Sequence, residues 1–249
     1  EDLPTDVDVV FHLAALSSYA MHEADPTRGA RVNVEGFVNT VDQAKEDGCE
    51  TVVYASTSSI YGSRTEPSPE SMDVTVNTGY EASKMARETY AEYFQNHYDL
   101  TLAGMRFFSV YQGYGGAEAH KGEYANVIAQ FADDVANGTA PKLYGDGEQT
   151  RDFTHVEDIV SGLVAAAEHR LNGVYNLGTG EAYDFNTVVE MINEELGTDV
   201  EPEYVENPIP DDVYVHDTCA DSSKMRAETG WEPTISFAEG IERVCRQYQ

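Results

Sequence analysis

The chain has 249 residues, of which 41% are hydrophobic and 10% aromatic, enough for one large α/β domain or a domain with a smaller partner. It has no apolar run of membrane-spanning length, and its first residues do not resemble a signal peptide, so we expect a soluble, cytoplasmic protein. Its 45 acidic residues against 15 basic ones give a net charge of −30, which disfavours nucleic acid and anionic membranes as partners.

Predicted strands and helices alternate through the first half of the chain. Residues 7–15 form a short apolar run typical of a buried parallel strand, and a helix is predicted over 27–47. A second buried strand over 51–56 ends in a hydroxyl-rich turn, and a long helix covers 79–98. Residues 100–108 form the third strand. This alternation predicts an α/β fold with a parallel sheet covered on both faces.

The pattern is looser in the second half. A helix is predicted over 124–137, a turn over 143–147 and a further sheet strand over 173–178. Residues 190–196 are predicted to be helical, and a last helix lies near 237–248.

The charge and the cysteines indicate the environment of the protein. Acidic residues recur on every predicted helix face, for example at Glu88 and Glu92, and self-repulsion on this scale is screened at high salt. We therefore predict a halophilic source; a merely acidic mesophilic enzyme is the alternative. Cys49, Cys219 and Cys245 are widely spaced and show no metal-ligand spacing, so we expect reduced thiols and no metal.

The most informative feature is a tyrosine and a lysine four residues apart, Tyr80 and Lys84, on the predicted helix that follows the hydroxyl-rich turn. A phenol titrates near ~10, and a nearby ammonium favours the phenolate. A general base near neutrality needs that kind of tuning. The turn, which contains Thr57, lies at the carboxyl end of a predicted strand, where open α/β sheets bind ligands. Together these residues indicate proton transfer in an alcohol–ketone reaction.

A series of short motifs runs over nearly the whole chain. The motifs are Phe11-His12-Leu13-Ala14-Ala15, Asn33-Val34-Glu35-Gly36, Ser56-Thr57-Ser58, Tyr80 with Lys84, Arg106-Phe107-Phe108, Arg151-Asp152-Phe153, His155-Val156-Glu157-Asp158, Asn176-Leu177-Gly178-Thr179-Gly180 and Gly230-Trp231-Glu232-Pro233. Each motif alone is weak, but in this order and spacing they resemble the extended short-chain dehydrogenase/reductases that act on nucleotide sugars, the NAD-dependent epimerase/dehydratase family.

The resemblance implies a Rossmann-like parallel sheet with a smaller C-terminal α/β substrate-binding domain. Residues 1–111 would form part of the dinucleotide-binding domain, joined by about 152–180, and 112–151 with 181–249 would form the substrate domain. No glycine-rich phosphate loop precedes the first strand, so we expect the sequence to begin in mid-domain, with the first βαβ units missing.

The resemblance also implies roles for individual residues. Tyr80 would be the acid/base, Lys84 would lower its pKa and hold the nicotinamide ribose, and Thr57 would hydrogen-bond the reacting sugar oxygen. The implied cofactor contacts are Ala14, Ala15, Asn33, Ser56, Tyr80, Lys84 and Phe107. The implied substrate contacts are Ser58, Ser109, Asn126, Val127, Tyr144, Arg151 and Tyr214. The implied cofactor is NAD, with NADP not excluded, the partner is a nucleotide-diphosphate sugar, and the assembly is a homodimer.

The position two residues before Tyr61 separates the reactions of this family. Dehydratases and some decarboxylases carry Glu there, whereas this chain has Ser59, which favours epimerisation. The stretch around Lys121 resembles one that carries a second acid/base lysine in ADP-heptose 6-epimerases. A 4-epimerase of the UDP-glucose type is equally admissible, because Ser109 departs from the usual Asn and an arginine near Tyr214 is missing.

Two alternatives to an epimerase follow from the same residues. Within the family, a dehydratase or a net reductase would use the same acid/base pair. From a different class, a catalytically inactive binding protein without cofactor is favoured by the missing glycine-rich loop and disfavoured by the intact set of Thr57, Tyr80 and Lys84.

Overall fold

The computed structural model of the protein describes residues 6–113 and 118–249. The strands are β1 (Val9–His12), β2 (Thr51–Ala55), β3 (Thr101–Phe107), β4 (Val110–Tyr111), β5 (Lys142–Tyr144), β6 (Thr150–Arg151), β7 (Thr154–His155), β8 (Gly173–Leu177), β9 (Tyr183–Asp184) and β10 (Glu203–Val205). The α-helices are α1 (Tyr19–Ala24), α2 (Pro26–Ala30), α3 (Gly36–Glu46), α4 (Gly79–His97), α5 (Val127–Ala136), α6 (Val156–Glu168), α7 (Phe185–Leu196), α8 (Ser223–Thr229) and α9 (Phe237–Cys245).

Four parallel strands form the main sheet, in the order β1-β2-β3-β8. The central strand β2 is buried at every residue, which is why it reads as an apolar run and not as an alternating pattern. The predicted α/β class with a parallel sheet is therefore confirmed. Because all four strands are parallel, their carboxyl ends lie at one edge of the sheet, where ligands bind in open α/β folds.

The helix predicted over 27–47 is not continuous. It consists of α2, a π-helical turn over Arg31–Glu35 and α3. Asp25 caps α2 by accepting a hydrogen bond from the backbone N–H of Arg28, and Pro26 suits the first helical position. The wider π turn holds one extra residue, and Asn33, at its centre, is 0% exposed.

Helix α4 matches the prediction closely, because its start is fixed by a capping box. Thr78 Oγ1 accepts from the backbone N–H of Glu81 at 3.1 Å, and the Glu81 carboxylate accepts from that of Thr78 at 3.2 Å. The buried face of α4 carries charged side chains in its first half, namely Glu81, Lys84, Arg87 and Glu88. Glu88, named above among the acidic residues of the predicted helix faces, lies on the buried face of α4 against β3.

Two further helix groups complete the core. Helix α6 packs on the main sheet, where Ile159 and Leu163 meet Val53, Met105 and Leu177. Helices α5, α7 and α9 pack on one another through a separate cluster of apolar residues, which includes Ile128, Phe131, Val188, Ile192 and Ile241. No helix in the described ranges 6–113 and 118–249 is long and apolar enough to cross a membrane.

Several elements of the second half differ from the sequence prediction. The turn predicted at 143–147 begins with β5, which pairs with β10. Helix α5 begins at Val127 because Asn126 is its N-cap, and α7 begins at Phe185 because Asp184 accepts from the backbone N–H of Thr187. Helices α1, α6 and α8 were not predicted as elements.

Candidate active site

The hydroxyl-rich turn after β2 faces the first turns of α4. The Thr57 side chain lies near the Tyr80 hydroxyl, where it acts to lower the pKa of that phenol, and the Thr57 hydroxyl lies 2.9 Å from the Ser59 hydroxyl. The backbone N–H of Ser56 donates to the carbonyl of Met105 on β3, which fixes the turn at the carboxyl edge of the sheet. Thr57 and Tyr80, separated in sequence, are therefore brought together at the edge where a ligand would bind.

Lys84 lies one turn farther along α4 and is almost fully buried. Its Nζ donates to the carbonyl of Ala55 at 3.0 Å and lies 5.7 Å from the centroid of the Tyr80 ring. Burial, together with the neighbouring charge of Arg87, lowers the pKa of Lys84 to about 7. Burial raises the pKa of Tyr80, and the nearby Thr57 side chain and the charge of Arg87 oppose that rise. Tyr80 and Lys84 are thus a phenol and an amine one helical turn apart, and burial shifts the pKa of each.

Asn33 connects the π turn to the segment after β1 and to α4. Its Oδ1 accepts from the backbone N–H of Leu16 at 2.8 Å, and its Nδ2 donates to the carbonyl of Leu16 at 2.9 Å. Nδ2 also lies 2.9 Å from Ser83 Oγ and 3.0 Å from His22 Nε2. Asn33, predicted as a cofactor residue, therefore contacts α4 through Ser83, the residue next to Lys84.

His22 is a site residue that the sequence analysis missed. It is buried on α1, its ring meets the Tyr80 ring edge-on with centroids 5.8 Å apart, and burial lowers its pKa. A methyl group on Gly29 would collide with the imidazole, so that glycine makes room for it. No spacing in the sequence indicates this contact, because it arises from the packing of α1 against α4.

Behind the hydroxyl-rich turn lies a buried ion pair. Arg106 of β3 donates to both carboxylate oxygens of Glu88, at 3.0 and 2.7 Å, and to the Tyr61 hydroxyl at 2.7 Å. The Ser56 hydroxyl also hydrogen-bonds Glu88. A two-point contact of this kind fixes both side chains, so the turn that carries Thr57 rests on a rigid polar support.

The other predicted cofactor residues lie along the carboxyl edge of the sheet. Ala14 is exposed, Ala15 and Phe107 are half-buried, and the carbonyl of Ala14 accepts from Arg87. Arg87 was also missed, although its position three residues after Lys84 puts it on the same helix face.

The predicted substrate residues of the second half form two groups. Arg151 lies between the rings of Phe185 and Tyr214, with its guanidinium carbon 5.6 and 5.5 Å from their centroids, and it donates to the carbonyls of Thr150 and His216. Tyr144 meets Tyr214 edge-on at 6.4 Å. These three predicted residues are therefore gathered in one aromatic cluster around a cation.

The second group surrounds the buried carboxylate of Glu118. It accepts from the side chains of Lys121 and Gln112 and from the backbone N–H of Asn126. These hydrogen bonds, with that of Lys121 first among them, lower the pKa of Glu118 against the effect of its burial. Asn126 also caps α5, and Val127 is half-buried.

The remaining predicted residues lie close to the sheet edge. Ser58 is buried in the hydroxyl-rich turn, and the carbonyl of Ser109 accepts from the backbone N–H of Thr154. Over the described parts of the chain, no cluster of His, Cys, Asp and Glu could hold a metal ion. The three cysteines are free and buried.

Comparison with known proteins identifies relatives over the whole chain. The UDP-glucose 4-epimerase of Mycolicibacterium smegmatis is 33% identical over 245 residues, covering 97% of this chain and 76% of the relative. The structure of a UDP-N-acetylglucosamine 4-epimerase from Methanobrevibacter ruminantium, in complex with UDP-N-acetylmuramic acid, superposes with a TM-score of 0.88 at 30% identity, covering 98% of this chain and 77% of that one.

A third relative was solved with a cofactor. The UDP-glucose 4-epimerase of Thermus thermophilus, in complex with NAD, superposes with a TM-score of 0.84 at 30% identity, covering 97% of this chain and 77% of that one. The profile of the NAD dependent epimerase/dehydratase family matches residues 2–178. The α/β architecture, the placement of Tyr80 and Lys84 at the carboxyl edge of its sheet and this match agree, and the chain belongs to the NAD dependent epimerase/dehydratase family.

Proposed function

We propose that this protein is an NAD-dependent nucleotide-sugar epimerase that inverts a sugar carbinol through transient oxidation to a ketone. The observation that carries the proposal is the convergence of Thr57, Tyr80 and Lys84 at the carboxyl edge of the parallel sheet. The relatives named above are UDP-sugar 4-epimerases, which supports a UDP-sugar as substrate and position 4 of the sugar as the reacting centre.

The residues at the sheet edge fit a nicotinamide dinucleotide. Alanine side chains at positions 14 and 15 leave the carboxyl end of β1 open. Lys84 Nζ donates to the backbone carbonyl of Ala55 and, among the described residues, forms no ion pair with a carboxylate. When bound, NAD would supply the hydride acceptor for oxidation of the sugar carbon and, once reduced, the hydride donor for the return step. Lys84 would bind the nicotinamide ribose, while Ser56, Asn33 and Phe107 shape and support the site.

The protein's own residues would carry the proton. Tyr80, as phenolate, would accept the proton of the sugar hydroxyl and give one back when the ketone is reduced. Thr57 would donate a hydrogen bond to the same sugar oxygen and keep it within reach of Tyr80. Because burial raises the pKa of Tyr80, the phenol is protonated at neutral pH, and a positive charge nearby is needed to lower its pKa toward neutral pH.

For the nucleotide diphosphate we propose the aromatic cluster around Arg151. A planar guanidinium suits two-point contacts with phosphate oxygens, and its position between Phe185 and Tyr214 fixes its plane. Tyr144 would lie beside the base, and Ser58, Ser109, Asn126 and Val127 would complete the substrate contacts. We also propose the division into a dinucleotide-binding part (1–111 with about 152–180) and a substrate-binding part (112–151 with 181–249).

Lys121 is proposed as a second acid/base for a reaction of the heptose 6-epimerase type. Its ammonium is paired with the buried carboxylate of Glu118, so a substrate would have to draw it away from that partner. Lys121→Met separates the two reaction types. It should abolish epimerisation of an ADP-heptose at position 6 and leave interconversion of UDP-glucose and UDP-galactose within about twofold of the parent rate.

The test of the main proposal is product analysis with tightly bound cofactor measured in the same sample. We expect UDP-glucose and UDP-galactose to interconvert with no net change in the ratio of NAD to NADH. Tyr80→Phe should lower kcat by about 10² to 10⁴-fold, since a positioned acid/base contributes that much. Tyr90→Phe, an exposed tyrosine on the same helix, is the matched control. Net consumption of NAD would identify a dehydrogenase instead, and bound sugar nucleotide without turnover would identify a binding protein.

We further propose a homodimer in a salt-rich cytoplasm. Tyr90 and Tyr93 are exposed aromatic residues on α4, beside a groove lined by Val34 and Val38, and such a face suits a helix-on-helix contact with a second copy. Sedimentation of Tyr90→Glu against the parent protein in molar salt tests this assembly. A parent protein that sediments as a monomer contradicts it.

A further inference from the structure

Arg87 joins three separate segments at the floor of the proposed cofactor site. Its side chain is 0% exposed. Nε donates to the carbonyl of Asn33 at 2.6 Å, Nη1 to that of Ala55 at 3.2 Å and Nη2 to that of Ala14 at 2.8 Å. These carbonyls belong to the π turn, the end of β2 and the segment after β1, so one guanidinium holds the carboxyl ends of two neighbouring strands against α4.

Arg87 makes these contacts as a charge without an ion-pair partner among the described residues. The carboxylate of the next residue, Glu88, accepts hydrogen bonds from Arg106 and Ser56. Burial lowers the pKa of Arg87 to about 10, so the guanidinium still carries its charge at neutral pH. Backbone carbonyl dipoles can solvate a buried cation, but they leave its field uncompensated for neighbouring groups.

The positive charge of Arg87 acts on the two proposed catalytic side chains, Tyr80 and Lys84. Arg87 and Lys84 donate to the same carbonyl, that of Ala55, so two cations share one acceptor. The Arg87 charge lowers the pKa of Lys84 and opposes the rise in the pKa of Tyr80. The two buried carboxylates of α4 are engaged elsewhere: Glu81 accepts from the backbone N–H of Thr78 at the helix start, and Glu88 accepts from Arg106.

We propose that Arg87 is a positioning residue of the epimerase site: it fixes the backbone floor under the cofactor and supplies the constant positive charge beside Tyr80 and Lys84. This inference rests on the proposed function. The family resemblance assigns the lowering of the Tyr80 pKa to Lys84, whereas the structure adds a permanent positive charge from Arg87, on the next turn of the helix.

The other charged and titratable groups around Tyr80 do not replace Arg87. His22 on α1 and His12 on β1 both have a lowered pKa because of burial, and that of His12 is about 4, so both are neutral at pH 7. Glu81, the capping carboxylate of α4, has a charge of the opposite sign. The titratable and charged groups that face Tyr80 and Lys84, from α4 and from the elements packed against it, are His12, His22, Tyr54, Glu81, Glu88 and Arg87.

The test compares Arg87→Gln with Arg87→Lys, measuring the pH profile of kcat in the epimerase assay. Loss of a positive charge raises the pKa of a neighbouring phenol and also that of a neighbouring ammonium, because the phenolate is less stabilised and the ammonium less repelled. Each limb of the profile that Tyr80 or Lys84 sets should therefore move to higher pH in Arg87→Gln, by about half a unit to one unit. Arg87→Lys keeps the charge and should keep the limbs in place.

A second measurement, which does not depend on turnover, accompanies the pH profile of kcat. The ultraviolet absorbance of the phenolate, taken as the difference between each protein and its Tyr80→Phe form, gives the titration of Tyr80 without substrate. We expect the same upward shift in Arg87→Gln. Phe94→Leu, a neutral core change two turns along α4, controls for lost stability and should lower the height of the profile without moving it.

Each outcome is decisive. If the parent protein turns over no nucleotide sugar, the proposed function fails, and the effect of the Arg87 charge on Tyr80 is then tested by the phenolate titration alone. If the parent is active and Arg87→Gln lowers kcat with unmoved limbs and an unmoved phenolate titration, Arg87 is structural only and the inference is overturned. If Arg87→Gln does not fold, an unshifted profile in Arg87→Lys supports the role of the charge, and a profile in Arg87→Lys displaced by more than half a unit overturns it.

Discussion

Asn33 offers the sharpest test of how the fold holds the site together. Its amide makes one accepted hydrogen bond with Leu16 and directs two hydrogens at Leu16, Ser83 and His22. One accepted hydrogen bond and two donated ones, at about 1 kcal/mol net each, predict that Asn33→Ala lowers the free energy of unfolding by about 3 kcal/mol. For a chain of this size that is a fall in Tm of about 6 to 12 °C.

The charged variant Asn33→Asp tests the direction in which stability changes with pH. In the parent protein burial lowers the pKa of His22, so the unfolded state binds a proton first and stability falls as pH drops below about 6.5. A carboxylate beside His22 Nε2 would raise the pKa of His22 above its unfolded value. The imidazolium would then stabilise the variant fully below about pH 6.5 and less as pH rises through the raised pKa. The slope of stability against pH near neutrality should therefore reverse.

Urea unfolding at fixed high salt, repeated across pH, measures both effects. Asn39→Ala, an exposed asparagine on α3, is the control and should change stability by less than about 0.5 kcal/mol. A loss below about 1 kcal/mol in Asn33→Ala, or an unchanged pH slope in Asn33→Asp, would contradict the hydrogen-bond network described above.

Three further predictions concern charge. Burial lowers the pKa of His12 to about 4, so the free energy of unfolding should fall by about 3 kcal/mol as pH drops from about 6.5 to 4. In His12→Leu, urea unfolding should show no such dependence of stability on pH down to about pH 5. Glu88→Gln leaves Arg106 buried without its carboxylate and should cost about 3 kcal/mol, whereas breaking the exposed pair of Arg170 and Glu50 should cost less than about 1 kcal/mol; equal losses in calorimetry would contradict this. The net charge of −30 predicts a Tm that rises from dilute buffer to molar salt, and a Tm independent of salt would argue against a halophilic source.

The elements that the sequence predicted well are those with a strong local cause. Helix α4 has a capping box at Thr78 and Glu81, and β2 is an uninterrupted apolar run, so both were placed within a residue or two. The π turn around Asn33 was missed because its cause is long-range: the amide is held by Leu16, His22 and Ser83. Periodicity cannot show contacts of this kind.

The candidate site divides in the same way. Tyr80 and Lys84 were found because they share a helix and a fixed spacing, whereas His22 reaches Tyr80 only through the packing of α1 on α4. The burial of Glu88 was not predicted, because a charged residue on a helix is normally solvated. Its partner Arg106 is an isolated charge in an apolar strand, and this was the available signal that some carboxylate had to be buried beside β3.

The buried face of α4 shows how one helix serves both the fold and the site. Its second half follows the ordinary rule, with Ala91 and Phe94 in the apolar core beside β2 and β3. Its first half buries Lys84, Arg87 and Glu88, and apolar side chains of similar volume would pack there with equal or greater stability. Under the proposed function, the placement of these charges at the carboxyl edge of the sheet serves proton transfer by Tyr80. A phenol that must lose its proton needs positive charge nearby, and burial keeps solvent from screening that charge.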